Sequence, residues 1–313
     1  MATNVFQLFL CIFLITLAFP IPSHARRSKT KAENQTSFDF TKNLVGSKKG
    51  QTIKGLQQVR KYLERYGYLN YSPNQIRAND ENFDHALEAA VRTYQLNYQL
   101  NATGTLDAQT LTQMMVPRCG VPDITNGINW MQARKKVANH THDPLHNASH
   151  FSFIDPSGLV VWPPNKYELT YGFEEGFPWQ FAPSVSGALD AWASVSVFEF
   201  TRTYFRTADI KIRYCRGDHG DGYPFTGPPN GVLGHAFPPT DGRLHINSDY
   251  LFSMNPVQGS YHMRSLALHE IGHLLGLGHS DVEQAIMYAI MRPGTVKDLH
   301  FDDYVGISTL YDF

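Results

Sequence analysis

The chain has 313 residues, of which 42% are hydrophobic and 18% are charged, and its formal net charge at pH 7 is −1. This length accommodates two modest domains, and the composition is that of an ordinary globular protein. Because the charges nearly cancel, nothing in the composition supports a nucleic-acid or an anionic-membrane partner.

The first predicted element is an N-terminal export signal at residues 1–25. Residues 5–19 form an almost unbroken apolar run that is too short for a comfortable membrane span. Two prolines and Ser23-His24-Ala25 follow, like the small-residue end of a secretory signal peptide. An uncleaved signal anchor is the alternative, because the terminal amine is the sole positive group before the run. With no second apolar stretch and no hydrophobic C-terminal tail, the sequence predicts a secreted protein without a transmembrane anchor.

Sequons and cysteines agree with this extracellular interpretation. Five N-x-[S/T] sequons precede residue 150, which favours a separable and glycan-tolerant first half of the chain. The possible N-glycosylation sites are Asn34, Asn70, Asn101, Asn139 and Asn147. Beyond the signal the cysteines are Cys119 and Cys215, which could form one disulfide in an oxidising compartment.

Three helices are predicted within residues 50–116. Apolar residues recur at helical spacing over residues 53–63 and 83–94, the second with Asp80 or Asn82 as its cap, and a short third helix follows Asp107. Together they would form a small all-α domain. The run at residues 104–115, with the helices before it, resembles the peptidoglycan-binding-like domain found in matrixin propeptides.

A stiff segment follows, Pro117-Arg118-Cys119-Gly120-Val121-Pro122-Asp123, in which the prolines and the glycine disfavour a helix. Residues 269–279 contain three histidines that are candidate ligands of a catalytic zinc. A cysteine presented in this way, upstream of that site, suggests inhibition, because its thiolate would fill the fourth zinc position and exclude the catalytic water. The alternative is a disulfide with Cys215. The segment matches the cysteine switch of matrix metalloproteinases at every position, and this resemblance implies a zymogen with Cys119 as a zinc ligand.

Residues 124–147 are interpreted as a cleavable linker. They are mostly polar and contain two sequons and Arg134-Lys135-Lys136. The basic triplet lacks the pattern that furin-like proteases prefer, so the activating protease stays unidentified. The predicted propeptide therefore covers residues 26–147, and the second domain covers residues 148–313.

The second domain is predicted to be α+β. Strands are expected at residues 168–173, 210–214, 232–237 and 243–246, and helices after Pro183 and over residues 263–275 and 302–310. Strands mostly first and helices mostly later are typical of this class. The family resemblance implies a metzincin catalytic domain with a mixed, mostly parallel sheet and three helices.

Four potential metal ligands, His219, Asp221, His235 and His245, lie in the middle of this domain. Three imidazoles and one carboxylate form a closed tetrahedral set that suits a structural zinc. The alternative is a Gly-rich surface turn with unrelated histidines, which these residues alone would favour. Their order is similar to that of the matrixin structural zinc site, and this resemblance favours the metal.

The resemblance also implies calcium, and here the chain departs from the family. Matrixins usually carry Asp after Tyr-Pro-Phe, and an Asp and a Glu after the last histidine, where this chain has Thr226, Asn247 and Tyr250. Calcium favours several carboxylate oxygens, so we expect a severely weakened site. The candidate ligands that remain are Asp209, Asp249 and the Gly227 carbonyl.

The strongest motif is His269-Glu270-Ile271-Gly272-His273-Leu274-Leu275-Gly276-Leu277-Gly278-His279. In a helix, the four-residue spacing places His269 and His273 on one face, where both imidazoles can bind one ion. Gly276 can take a backbone conformation that ends the helix and brings His279 round as a third ligand. Three neutral nitrogens and one open position are typical of a catalytic zinc.

Glu270 lies beside the first of these ligands, where it can handle the proton of the attacking water. The alternative is an amphipathic helix whose histidines share its polar side by chance, but five fixed positions argue against it. Eight residues after His279 comes Met287, within Ala285-Ile286-Met287-Tyr288. This resembles the metzincin signature, in which a methionine-containing turn lies under the zinc.

These motifs occur in matrixin order, and after residue 50 the chain resembles a minimal, plant-type matrixin without a hemopexin-like domain. The resemblance implies a monomeric zinc endopeptidase that cleaves extracellular matrix or cell-wall proteins before an apolar residue, in the apoplast or cell wall if the source is a plant. Ala289-Ile290-Met291 replaces the family's Pro-x-Tyr, and Ser265 is small, so we expect an altered S1′ pocket.

A different class of function is a secreted, non-catalytic protein- or glycan-binding protein on the same scaffold. Its first domain resembles a glycan-binding module, and its substrate loops depart from the family. The intact Glu270 argues against this alternative, because a binding module has no need of a general base.

Overall fold

The computed structural model describes residues 43–70, 80–131, 151–155, 157–228 and 231–313. The predicted export signal, the sequons at Asn34, Asn139 and Asn147, and most of the predicted linker lie outside these residues. All described residues belong to one compact body, Ser37–Phe313. Within them, no helix combines the length and the apolar character needed to cross a membrane.

The first part of this body, the helical domain, contains helices α1 (Leu56–Arg65), α2 (His85–Asn97) and α3 (Ala108–Met114). The expected three helices are therefore confirmed. The expected cap of α2 is wrong, because the Asp84 carboxylate accepts the Leu87 amide hydrogen at 2.8 Å. Asp107 caps α3 in the same way, through the Thr110 amide. Both caps satisfy amide groups that have no partner inside the helix.

A short hairpin, β1 (Ile124–Thr125) and β2 (Ile128–Asn129), follows the helical domain. Trp130 and Met131, which are both buried, follow it directly. The beginning of the predicted linker, residues 124–131, is therefore structured and partly buried.

The second part, the sheet domain, is built on a five-stranded sheet in the order β4-β3-β5-β7-β6. These strands are β3 (Glu168–Phe173), β4 (Glu199–Arg202), β5 (Ile210–Cys215), β6 (Gly234–Ala236) and β7 (Arg243–Asn247). β6 lies at one edge and is antiparallel to β7, whereas the other neighbours are parallel. A second pair, β8 (Phe252–Ser253) and β9 (Tyr261–His262), leads into the next helix. The α+β class and the mixed, mostly parallel sheet are confirmed.

Three helices complete the sheet domain, α4 (Ala182–Ala193), α5 (Met263–Leu274) and α6 (Phe301–Tyr311). α4 starts just before Pro183, which lies in the first turn, where a missing N–H costs little. Every residue of α5 except Arg264 is buried. Trp192 and Trp162 donate their indole N–H groups to the Leu268 and Leu274 carbonyls, both at 2.8 Å. The core of the domain therefore surrounds α5 and holds it rigidly.

Candidate metal centre and active site

Helix α5 and the turn after it bring three imidazoles together. The Nε2 atoms of His269 and His273, one turn apart, are separated by 3.1 Å. Gly276 has a φ of 98°, which glycine adopts without strain, so the chain turns sharply out of the helix. The Nε2 atom of His279 then lies 3.2 Å from that of His273.

The remaining ring nitrogens of these histidines determine which metal chemistry fits. Nδ1 lies 2.7 Å from the Ile286 carbonyl oxygen in His269, 2.7 Å from the Leu277 carbonyl oxygen in His273, and 2.8 Å from Asp123 Oδ1 in His279. Since these acceptors each require an N–H donor, the hydrogen sits on Nδ1 and the Nε2 lone pairs face one another.

Burial lowers the pKa of all three histidines, which keeps the rings neutral. Converging lone pairs repel unless a cation lies between them, so this donor set fits zinc.

Cys119 completes the group. Its sulfur is buried and lies 3.4 Å from His273 Nε2, and one donor atom from each of the four residues falls within 4.8 Å of the others. Burial raises the pKa of the thiol well above its usual value, and the nearby Glu270 carboxylate acts in the same direction. Cys119 and Cys215 are both free thiols, so the alternative of a disulfide between them is not found.

Glu270 lies beside the Cys119 sulfur, with Oε2 3.6 Å from it. It is fully buried, and Oε1 has no hydrogen-bond partner among the described residues. Burial raises the pKa of Glu270 to about 8. A buried carboxylate without a structural partner is costly, which is typical of a residue retained for chemistry.

The segment that carries Cys119 forms backbone hydrogen bonds on both of its sides. On one side the Leu233 amide donates to the Arg118 carbonyl at 3.0 Å, and the Gly120 amide donates to the Gly234 carbonyl at 2.8 Å. On the other side the Cys119 amide donates to the Ala289 carbonyl at 2.9 Å. The segment thus occupies the slot beside the edge strand β6, where an extended peptide could pair in its place.

An ion pair that the sequence did not predict fixes this segment. Arg118 donates to both oxygens of Asp123, at 2.7 and 2.8 Å, and both side chains are buried. Tyr68 and Tyr98 add hydroxyl hydrogen bonds to Asp123 Oδ2, at 2.6 and 3.1 Å. Burial opposes ionisation of Asp123, but the charge and hydrogen bonds of Arg118 together with the hydrogen bond from His279 outweigh it and hold the pKa of Asp123 below its usual range. The same carboxylate orients His279, so it joins the segment to the metal centre.

Met287 packs against helix α5 at Gly272, the residue just before His273. A Cβ added at Gly272 would lie 2.3 Å from the Met287 sulfur and 3.1 Å from the Trp192 ring, so any larger residue would force Met287 to shift. Asp303 on α6 accepts the Ile286 and Met287 amide hydrogens at 2.9 and 3.1 Å, which holds the turn. The packing role of Gly272 and the contact of Asp303 were missed from sequence, since both depend on long-range contacts.

The second predicted cluster is also assembled. His219, Asp221, His235 and His245 bring one ligand atom each within 4.8 Å of the others. Asp221 Oδ2 lies 2.7 to 2.8 Å from a ring nitrogen of each histidine. His219 Nδ1 is 2.9 Å from the Gly217 carbonyl oxygen, so its Nε2 directs a lone pair at that carboxylate. Burial lowers the pKa of His235 and of His245 to about 4. Neutral rings around one carboxylate oxygen fit a closed zinc site.

The structure gives no support to calcium at Asp209. Its Oδ1 lies 2.5 Å from the Lys166 ammonium, and its Oδ2 accepts from the Thr170 amide and hydroxyl at 2.9 and 2.7 Å. Protein donors therefore use both oxygens. Gly227, the other predicted calcium residue, lies near the Asp249 side chain. Among the described sequons, Asn70 and Asn101 are exposed.

Comparison with known proteins covers both domains. Residues 162–312 match the Matrixin family, and residues 53–114 match the peptidoglycan binding domain family. Metalloendoproteinase 2-MMP of Arabidopsis thaliana is 40% identical over 289 residues, covering 88% of this chain and 75% of that protein. Metalloendoproteinase 1 of Glycine max is 38% identical over 308 residues, covering 95% and 94% respectively. Matrix metalloproteinase-20 of Homo sapiens is 32% identical over 264 residues, covering 80% and 47%.

Proposed function

The chain belongs to the matrixin family and is a zinc metalloendopeptidase, and from this we propose that it is exported as a latent zymogen closed by Cys119. The observation that carries the proposal is the position of the Cys119 sulfur, 3.4 Å from His273 Nε2 and 3.6 Å from Glu270 Oε2. A thiolate at that point would be a fourth ligand beside three imidazoles, and it would occupy the place that water needs.

In the open enzyme, His269, His273 and His279 would hold the catalytic zinc. When bound, zinc supplies a Lewis acid that lowers the pKa of water toward about 7 and polarises a carbonyl oxygen. The Glu270 carboxylate accepts a proton from the attacking water and then delivers it to the leaving amine. Its burial and its unpaired Oε1 support this role, because among the described residues no hydrogen bond occupies that oxygen. His219, Asp221, His235 and His245 would hold a structural zinc.

The substrate would bind as an extended strand in the slot that residues 118–120 fill. The Gly234 carbonyl and the Ala289 carbonyl, which accept hydrogen bonds from that segment, would then accept them from the substrate backbone. We propose an extracellular protein substrate with an apolar residue after the scissile bond. Met291 is buried in the core, and Ser265 exchanges two hydrogen bonds with the Lys297 backbone, both at 2.8 Å. We propose that these two residues give the S1′ pocket a shape that differs from that of the family.

Export, glycosylation and propeptide cleavage would process the protein before it is active. We propose removal of residues 1–25 on export, glycans on the exposed Asn70 and Asn101, and cleavage by an unidentified protease within the linker. The mature enzyme would be a monomeric extracellular protein of residues 148–313. An apoplast or cell-wall location would follow if the source is a plant, as it is for two of the relatives.

The proposal is tested by treating the purified precursor with a thiol-reactive mercurial, with and without a zinc chelator, and following casein cleavage. We expect no cleavage before treatment, cleavage and self-processing after it, and complete loss with the chelator. A precursor that cleaves casein equally well before treatment would contradict the latent state. Activity that survives the chelator would contradict the metal mechanism, and a treated protein that binds casein without cleaving it would favour the non-catalytic alternative.

A further inference from the structure

We infer that the loop between Phe225 and Leu233, which resembles the calcium loop of matrixins, is held in this chain by Asn247 and Tyr250 instead of calcium. The inference goes beyond the proposed function, because neither the zymogen state nor the Glu270 mechanism depends on it. It concerns the two described sides of the loop, residues 226–228 and 231–232, and the end of strand β7 against which they pack.

Asn247 connects the two sides. Its side chain is fully buried, and its Nδ2 donates to the Val232 carbonyl at 2.7 Å and to the Thr226 carbonyl at 3.1 Å. Its Oδ1 accepts the Asp249 amide hydrogen at 3.0 Å. This last contact fixes the orientation of the amide, because a backbone N–H can only donate and must face oxygen.

The orientation leaves no room for a cation at these carbonyls. A calcium ion in this loop would draw on backbone carbonyl oxygens as ligands. Both amide hydrogens of Asn247 already point at two of them, the Thr226 and Val232 oxygens. An N–H group that donates to a carbonyl oxygen satisfies and fixes that oxygen, as a coordinated ion would.

Tyr250 forms the second connection. Its hydroxyl oxygen accepts the Gly231 amide hydrogen at 2.7 Å, and its ring is buried edge-on against Tyr261, with 5.6 Å between ring centroids. Burial raises the pKa of Tyr250, so the phenol stays neutral and contributes no negative charge. A phenol in this place holds the loop but is a poor calcium ligand.

The charge around the loop leads to the same conclusion. Asp249 is the carboxylate that approaches it, with Oδ2 3.5 Å from a Cβ added at Gly227, and Asp249 is exposed. Calcium sites in proteins use six to eight oxygens, with several carboxylates among them. Among the described residues, the groups of three or more clustered ligands include neither Asp249 nor Asp209. The residues present do not fit calcium.

The loop borders the active-site cleft, which gives the replacement a functional consequence. Val232 pairs with Arg118 of the inhibitory segment. The backbone amide of Leu233 donates to that segment, and the Leu233 carbonyl accepts the backbone amide hydrogen of Asn247 at 2.9 Å. The wall of the cleft is therefore fixed by protein hydrogen bonds. We expect its shape, and the activity that depends on it, to be insensitive to calcium.

The test measures the melting temperature of the full-length precursor, and casein cleavage after mercurial treatment, in zinc-containing buffer with and without added calcium. Terbium luminescence sensitised by tyrosine and tryptophan reports direct binding. We expect no change in melting temperature or rate with calcium, and no saturable terbium signal. A saturable rise in melting temperature with calcium, or saturable terbium binding at this loop, would overturn the inference.

Two variants test the replacement itself. Asn247→Asp sets a carboxylate oxygen against two carbonyl oxygens, so we expect the melting temperature to fall by several degrees without calcium and to recover partly with it. Thr226→Asp/Asn247→Asp/Tyr250→Glu restores the family's charges and should bind terbium saturably. Asn255→Asp, on an exposed loop of the same domain, is the matched control and should do neither. An unchanged melting temperature in Asn247→Asp would contradict the inference even if the triple variant did not fold.

Discussion

At the scale of single residues, three side chains have different roles in the proposed site. Glu270 is a buried carboxylate with an unpaired oxygen, Cys119 fills the space beside it, and Asp123 holds both Arg118 and His279. All three residues are buried. We expect substitution of Glu270 to affect the chemistry, of Cys119 the latency, and of Asp123 the retention of the metal.

Removal of the carboxylate in Glu270→Ala should abolish nearly all turnover and leave the zinc in place. The three histidines keep their own Nδ1 partners, so metal binding does not require Glu270. We expect activity to fall by roughly 100-fold to 10,000-fold, the range typical for loss of a general base. Casein cleavage by the activated enzyme and zinc content measured by mass spectrometry check this. Glu199→Gln, on an exposed strand position, is the control, and full proteolysis by Glu270→Ala would end the mechanism.

Replacement of the sulfur in Cys119→Ser should make the precursor active without mercurial. A serine hydroxyl is a much weaker zinc ligand than a thiolate, so water can compete for the fourth position. Cleavage of casein by the unprocessed variant measures the effect. Cys215→Ser removes the other free thiol and should stay latent. Activation of both variants, or of neither, would show that latency has another cause.

Loss of the carboxylate charge in Asp123→Asn should weaken both latency and metal retention in the precursor. The Arg118 guanidinium would remain buried without its partner, which costs about 3–5 kcal/mol of segment docking. His279 would lose the acceptor at its Nδ1, and loss of such partners weakens metal binding by roughly 10-fold to 100-fold. Zinc capture by a chromogenic chelator and casein cleavage check the two effects.

The control for Asp123→Asn is Tyr68→Phe, which removes one hydrogen bond to the same carboxylate and keeps the ion pair. It should release zinc at close to the wild-type rate. Equal zinc release from Asp123→Asn and Tyr68→Phe would mean that the charge of Asp123 has no special role.

At the scale of elements, the parts that could be predicted from sequence are those encoded by local spacing. His269, His273 and Gly276 lie within two turns of one helix, so their arrangement follows from helical geometry. Other parts depend on contacts between distant segments. Asp303 reaches Met287 across 16 residues, and the Asp84 cap could not be distinguished from nearby polar residues. The four-residue strand β4 was missed because it is short and carries little alternation.

Gly272 shows how the packing of an element constrains the motif. In Gly272→Ala the new methyl group would lie 2.3 Å from the Met287 sulfur and 3.1 Å from Trp192, inside a rigid core. We expect a loss of about 1–3 kcal/mol in the free energy of unfolding, as for other overpacked core positions, measured by urea denaturation.

The matched control for Gly272→Ala is Gly187→Ala in helix α4. A Cβ there meets its nearest atom at 3.9 Å, on the Arg264 side chain, so the better helix propensity of alanine should leave stability unchanged or raised. If the two variants lost stability equally, the contact with Met287 would not be the cause.

At the scale of the whole molecule, the proposed latency would rest on more than the Cys119 sulfur. The core of the helical domain continues into the sheet domain through Tyr288 and Ile290. The Tyr98 ring meets that of Tyr288 edge-on at 5.9 Å, and its hydroxyl accepts from Arg118 at 2.7 Å. Gln99 donates to the Asp281 carbonyl at 2.7 Å. The segment at residues 117–123 is therefore held by packing between the two domains as well as by the contacts of Cys119.

Because both domain packing and the Cys119 sulfur hold the segment, we expect non-additive effects of Tyr98 and Cys119 substitutions on latency. Cys119→Ser alone should give only part of the mature activity, because the segment still blocks the cleft. Tyr98→Ala alone should stay latent, because the sulfur remains a ligand, but it should respond faster to mercurial. The double variant should approach the mature rate. Casein cleavage by the uncleaved proteins measures all three, with the exposed Tyr204→Ala as control. Full mature activity in Cys119→Ser alone would instead place the whole of latency in one sulfur atom.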